Sequence, residues 1–177
     1  GYPLGVDLPS ESRGFLPNAN WYSDRYGENH WSANTIISVS IGQGEVSATP
    51  LQIANLCATI ANRGWFITPH IVKEVKDSVL PEELLKKRYP TIDKKHYKPI
   101  IDGMRMAVMN GTCKKADLDD IEVCGKTGTA QNPHGRDHSA FIGFAPYNNP
   151  KIAVCVYVEN AGFGAAYGVP IGSLVIE

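Results

Sequence analysis

Residues 122–131 read EVCGKTGTAQ, and within them Lys126, Thr127, Gly128 and Thr129 combine a cation, two hydroxyls and a position without a side chain. Lys126 can pair with an anion and the hydroxyls of Thr127 and Thr129 can donate to it, a set suited to a carboxylate. Gly128 lets a ligand come close to the backbone. If the run is an edge strand, some of its N–H groups have no ladder partner. That of Thr129 is then a candidate for half of an oxyanion hole. Gly125-Lys126-Thr127 also ends like the phosphate loop G-x-x-x-x-G-K-[ST]. The leading glycine of that loop would fall on Asp120, inside the acidic stretch DLDDIE, so the nucleotide reading fails. Cys113, Cys124, His134 and His138 could ligate a metal. However, ten residues separate the two cysteines, where a zinc finger uses about two to four. No metal and no cofactor is expected.

The elements around this run set its context. The opening GYPLGVDLPSESRGFLPN is rich in Gly and Pro and predicts an extended, turn-rich segment. In TIISVSI (35–41) Ile37, Val39 and Ile41 alternate with serines, predicting a half-buried strand that ends at Gly42-Gln43-Gly44. Thr49, Pro50 and Gln52 form a capping box with proline in the first turn. The helix they open runs through LQIANLCATIAN to Gly64 and is apolar on nearly every face, so it is expected to be buried. Residues 73–98, rich in Lys and Glu, predict a solvated face with one short helix after Pro81. YKPIIDGMRMAVMN predicts a second long helix closed by Gly111.

EVCGKTGTA, HSAFIGFA and KIAVCVYVE read as three strands with short turn-forming links, NPHGRD and PYNNP, which favour antiparallel neighbours. The third is continuously apolar, as a strand covered on both faces would be, and GVPIGSLVIE then starts a helix that packs back on the sheet. The fold class is mixed α/β (α+β), an antiparallel sheet flanked by helices. Three strands leave edges for further chain to pair or cover.

With 177 residues the chain has the size of one domain. A net charge of −1 gives no reason to expect nucleic acid as a partner. No apolar run approaches the ~20 residues of a membrane span. The chain opens on Gly, shows no signal peptide and stops inside the apolar run GSLVIE, so it is expected to be a piece of a longer protein with any export or anchoring segment outside it. Of the four cysteines, Cys57 and Cys155 lie in apolar runs and read as buried hydrophobes. A Cys113–Cys124 disulfide is left open.

Lys-Thr-Gly is one of three signatures of serine β-lactamases and penicillin-binding proteins. Five blocks in order carry the resemblance further: GVDLPSE (5–11), SIGQGEVSATPLQIANLCATIANRG (40–64), GMRMAVMNGT (103–112), GKTGTAQ (125–131) and HSAFIGFAPYNNPKIAVCVYVENAGFG (138–164). Through them the sequence resembles the transpeptidase domain of class B penicillin-binding proteins over nearly its whole length. Its final block is closer to the elongation-type branch, penicillin-binding protein 2, than to the division-type branch.

The resemblance implies a β-lactamase/transpeptidase-like fold, incomplete here, with residues 1–177 as the C-terminal portion of one transpeptidase domain. It implies a DD-transpeptidase that cross-links peptidoglycan on the periplasmic side of the inner membrane. A serine attacks the D-Ala-D-Ala end of a stem peptide, forms an ester and passes the acyl group to an amine, and β-lactam antibiotics acylate the same serine. Other cell-wall synthesis proteins are the implied partners of the full-length chain. Lys126, Thr127, Gly128 and Thr129 match the third motif: Lys126 and the Thr129 N–H as catalytic groups, all four as substrate-binding. The Gly42–Gly44 loop and Asp7-Leu8-Pro9-x-Glu11 read as structural supports. Arg136 and His138 flank the second strand and are weighed, without being adopted, as cleft-lining groups.

The other two motifs of the family are S-x-x-K and S-x-N. No serine here has lysine three places on, so the nucleophile is absent from this chain. Ser32-Ala33-Asn34 fits S-x-N as a string but follows GVDLPSE, whereas the family motif precedes that segment, so it is set aside. Without the nucleophile the chain alone is expected to be inactive. The alternatives are a β-lactam-sensing domain of a signalling receptor, against which the DLPSE and GQG blocks argue, and a related serine β-lactamase.

Overall fold

The computed structural model describes residues 3–177, so the first two residues of the expected extended segment lie outside it. At its centre is a three-stranded antiparallel sheet of β1 (Cys124–Ala130), β2 (His138–Ala145) and β3 (Ile152–Val158), side by side in that order. The three expected strands, their links and their direction are as the sequence predicts. Thr127 pairs with Phe141 and Phe141 with Val156, and Gly128 pairs with Ala140. Among the described residues both β1 and β3 have an open edge.

Strand alternation divides the core in two. Phe141 points to one face and meets Val108, Val154 and Val169, while Phe144 points to the other and meets Cys57, Ala61, Tyr97, Ile101 and Met104. The first face is covered by α6 (Gly168–Ile176), the helix expected to return onto the sheet. The second is covered by α3 (Pro50–Ala61) and α5 (Tyr97–Asn110). β3 thus lies between helices on both sides, although Val154 is the one residue in it that counts as buried. Three glycines make room for the fully buried Phe141: a methyl on Gly125 or Gly143 would come within 2.5 or 2.6 Å of its ring, and one on Gly172 would overlap it.

Helix ends follow their local signals. The Thr49 hydroxyl accepts from Gln52 N at 3.1 Å and the Gln52 side chain accepts from Thr49 N at 2.9 Å, closing the capping box of α3. At its other end Arg63 and Gly64 both take positive φ, 59° and 105°. A side chain at Gly64 would also meet the Tyr97 ring at 2.8 Å. Contrary to the expectation of a buried helix, α3 is buried on one side only. Leu51 and Leu56 on its outer side are exposed, because the sheet covers only the face bearing Cys57 and Ala61. α5 and its Gly111 cap match expectation, as does α4 (Glu82–Leu85) after Pro81.

One element differs in kind. Residues 35–41 do not form a strand. They lie in and just after α2 (Ala33–Ser40), which follows α1 (Ala19–Tyr26). A short apolar run satisfies both periods, since Ile37 and Ile41 are also one helical turn apart. No strand lies beside it among the described residues, so its backbone bonds are made locally. Ile37 and Ile41 are consequently exposed. Ser32 sits at the N-cap of this helix without a side-chain capping bond, a helical setting for the S-x-N string.

The DLPSE segment acts as a support, as read. Glu11 accepts from the N–H groups of Leu4, Gly5 and Val6, and Asp7 from those of Ile71 and Val72. These bonds, chiefly Val72 on Asp7 and Leu4 on Glu11, hold both carboxyls below their usual pKa. All four cysteines are free, and Cys113 and Cys124 belong to clusters on opposite faces of the sheet. Cys155 is half-buried and not fully enclosed. Among the described residues no helix is long and apolar enough to cross a membrane.

Candidate functional site

β1 enters from the core and runs out onto an open edge. Cys124 and Gly125 are buried, Lys126 is exposed, and Thr127 through Ala130 are half-buried. Its start is fixed by Arg105 of α5, which donates to the Val123 carbonyl at 3.1 Å and pairs with Asp117 at 3.2 Å.

Alternation sorts the tetrad. Thr127 and Thr129 share a face with Phe141, and Lys126 and Gly128 share the other. The ammonium and the two hydroxyls therefore do not lie on one surface. They meet only around the edge of the strand. The edge itself carries backbone groups of the odd-numbered residues. Lys126 Nζ donates to the Thr127 carbonyl at 2.5 Å, and Gln43 Nε2 donates to the Thr129 carbonyl at 3.1 Å. Both carbonyls thus face away from β2. In an extended residue the N–H and C=O point to the same side, so the N–H groups of Thr127 and Thr129 face the same open edge.

The two hydroxyls are each met by another element. Thr127 Oγ1 lies 2.9 Å from Thr112 Oγ1, in the turn after α5. Thr129 Oγ1 accepts from Gly164 N at 3.3 Å. Gly164 is buried against the strand, and a methyl there would collide with the carbonyl oxygens of Gly128 and Ala140. On its other face Gly128 is open, since a methyl would meet only the Ala140 Cβ, at 3.3 Å. Cys113, next to Thr112, is fully buried, and burial pushes its thiol pKa up.

Three groups that touch the tetrad were not singled out as site residues by the sequence. Thr112 and Gly164 carry no local signal, because their partners are 15 and 35 residues away. Gln43 was read as a support, and its amide reaches the motif across 86 residues. Arg136 and His138 stand apart from the edge. Arg136 is exposed in the β1–β2 link. His138 Nδ1 accepts from Asn160 N at 3.1 Å and its ring leans on Tyr157 with centroids 5.4 Å apart. These contacts tie the start of β2 to the end of β3 and the turn after it.

The chain is 35% identical to the peptidoglycan D,D-transpeptidase MrdA of Haemophilus influenzae, over 100% of this chain and 30% of that protein. Penicillin-binding protein 2 of Pseudomonas aeruginosa, solved in complex with WCK 5153, superposes with a TM-score of 0.82 at 34% identity, over 99% of this chain and 39% of that one. Penicillin-binding protein 2 of Helicobacter pylori, solved in complex with MreC, gives 0.81 at 29% identity, over 98% and 31%. Penicillin-binding protein A of M. tuberculosis, solved as a ceftriaxone acyl-enzyme complex, gives 0.68 at 31% identity, over 78% and 34%. The chain thus spans about a third of the length of these proteins. The penicillin-binding protein transpeptidase domain family matches residues 1–176, all but the last residue, and the chain belongs to that family.

Proposed function

We propose that this chain supplies one wall of the acyl-transfer site of a peptidoglycan D,D-transpeptidase, within a longer protein that carries the nucleophilic serine and its lysine. The observation that carries this reading is the open edge of β1, where the Thr129 N–H faces outward between a lysine and two threonines. A ligand lying in the plane of the sheet beyond β1 meets that N–H head-on. Lys126 reaches it over one face, and the Thr127 and Thr129 hydroxyls reach it over the other. Gly128 leaves the approach on the Lys126 face clear.

In this site the stem peptide presents its D-Ala-D-Ala end along β1. Its terminal carboxylate is held by the ammonium and the hydroxyls in charge-assisted bonds. The serine, from outside this chain, adds to the penultimate carbonyl. The oxygen that becomes negative is met by the Thr129 N–H, which is aimed before the reaction and needs no reorganisation. The terminal D-Ala leaves as the amine, an ester remains on serine, and the amine of a second stem peptide takes the acyl group. β-Lactams follow the first half of this course, consistent with the acyl-enzyme of the M. tuberculosis relative. The transpeptidase name of the H. influenzae relative favours this reading over a sensor or a β-lactamase. The MreC complex of the H. pylori relative supports other wall-synthesis proteins as partners of the longer protein. On this reading the longer protein works at the periplasmic face of the membrane, held there by a segment outside residues 1–177.

A fluorescent penicillin followed by a denaturing gel tests it. The intact protein is labelled, the 19.3 kDa chain alone is not, and Lys126→Ala in the intact protein slows labelling about tenfold or more. A labelled band from the isolated chain, or an intact Lys126→Ala protein labelled at the parent rate, overturns the reading.

A further inference from the structure

We propose that Gln43 is a positioning residue for the oxyanion donor at Thr129. The inference rests on the transpeptidase reading of β1 and assigns a part in it to a side chain that never touches the reacting atoms. Gly128 gives the backbone just before Thr129 more conformational freedom than any other residue would. On an edge strand the outward groups of Thr129 receive no ladder bond to restrain them. The peptide that carries the Thr129 N–H is therefore the part of the motif most in need of an external brace.

Gln43 is built to be that brace. It lies in a loop between two exposed glycines with positive φ, 77° at Gly42 and 69° at Gly44, a conformation that turns this one side chain inward. Its own N–H is anchored on the Ser38 carbonyl at 3.0 Å, at the end of α2. Its amide then crosses to the Thr129 carbonyl at 3.1 Å and is half-buried there. With Gly164 N on the hydroxyl of the same residue, Thr129 is held at its carbonyl and at its side chain by two separate loops. The bond fixes the carbonyl of Thr129 to the outer edge, and the extended backbone then keeps its N–H on that edge too. The donor is thereby pre-aimed.

The test uses the intact protein and separates acylation by a fluorescent penicillin into an encounter constant and a first-order acylation rate. Gln43→Glu keeps the shape of the side chain and removes the donor. Gln43→Ala removes both. Both variants are expected to lower the acylation rate roughly fivefold, the weight of one neutral hydrogen bond. Each variant also loses this bond from its folded state, so a small drop in melting temperature accompanies the slower acylation while the encounter constant stays within error of the parent; a merely structural role would lower the melting temperature and leave the acylation rate unchanged. Parent-like acylation rates in both variants, with Lys126→Ala still impaired, overturn the role of Gln43 and leave the transpeptidase reading intact. A Gln43→Glu rate equal to the parent, with only Gln43→Ala slowed, also overturns it, because packing would then be the cause. An intact parent protein that takes no penicillin removes the functional reading and this inference with it.

Discussion

Gly164 offers the sharpest check on how the site strand is held. Its backbone lies so close to β1 that a methyl group in place of the α-hydrogen would overlap the carbonyl oxygens of Gly128 and Ala140, both backbone atoms that cannot swing aside like a side chain. Gly164→Ala therefore forces either loop 161–164 or β1 to move. Overpacking of this kind costs about 1–3 kcal/mol. Displacing the loop also lengthens the Gly164 N bond to the Thr129 hydroxyl, at 3.3 Å already long, which adds about 0.5–1 kcal/mol. A loss of about 3 kcal/mol lowers the melting temperature of a domain this size by about 6–12 °C.

Because the collision is with Gly128 itself, penicillin acylation of the intact protein should fall alongside stability. The matched control is Gly162→Ala in the same loop. A side chain there meets a backbone penalty instead, with φ of 87°, and no heavy atom lies within 4 Å of the new methyl. That variant should lose about 1 kcal/mol of stability and acylate at the parent rate. Thermal melting and a labelling time course on the two variants decide the matter. A Gly164→Ala protein that melts within 2 °C of the parent (less than ~1 kcal/mol by the same conversion) and labels normally would refute the close approach.

Phe141→Ala empties the slot between Gly125, Gly143 and Gly172; a loss of about 3–5 kcal/mol is expected from urea unfolding, and less than 1 kcal/mol would contradict the packing. Thr49→Ala opens the capping box of α3 and should lose about 1 kcal/mol in the same assay. In acid, Asp7 and Glu11 should dominate the first loss of the N-terminal segment. Their folded pKa values lie below the ordinary 3.8 and 4.5, so their contribution is present above those values and disappears as the pH falls through the lowered ones. Stability measured from pH 6 to pH 2 should decline below about pH 4.5, and Asp7→Asn with Glu11→Gln should flatten that part of the curve.

What could be read from the sequence was local. α3 and α5 declared themselves through Thr49, Pro50 and Gln52 at one start and Gly111 at one end, because caps act within a turn of the residues they cap. The three strands were visible through their turns. Residues 35–41 were misread as a strand because four apolar positions in seven fit either period, and what decides between them is whether a neighbouring strand is within reach. The tetrad was legible as a set of residue types. Its arrangement was legible only in part: a period of two puts Lys126 opposite Thr127, yet the expectation was of one converging group. Of the braces only the Gly42–Gly44 loop was legible, as a support without a known target. Gln43, Thr112 and Gly164 find Thr127 and Thr129 through the tertiary fold, and no spacing in the sequence encodes those meetings.

Along the half-buried stretch of β1 the outward carbonyls of Thr127 and Thr129 are each already engaged by a side chain, Lys126 on one and Gln43 on the other. A second copy of the chain seeking to add a strand there needs acceptors and donors in alternation, and it must compete with a side-chain donor at each of these acceptors. A guest that brings mainly oxygen lone pairs suffers no such mismatch. The same two contacts that steady the edge thus make it a poorer template for an added strand, and on the proposed reading they leave room there for acyl and carboxyl oxygens.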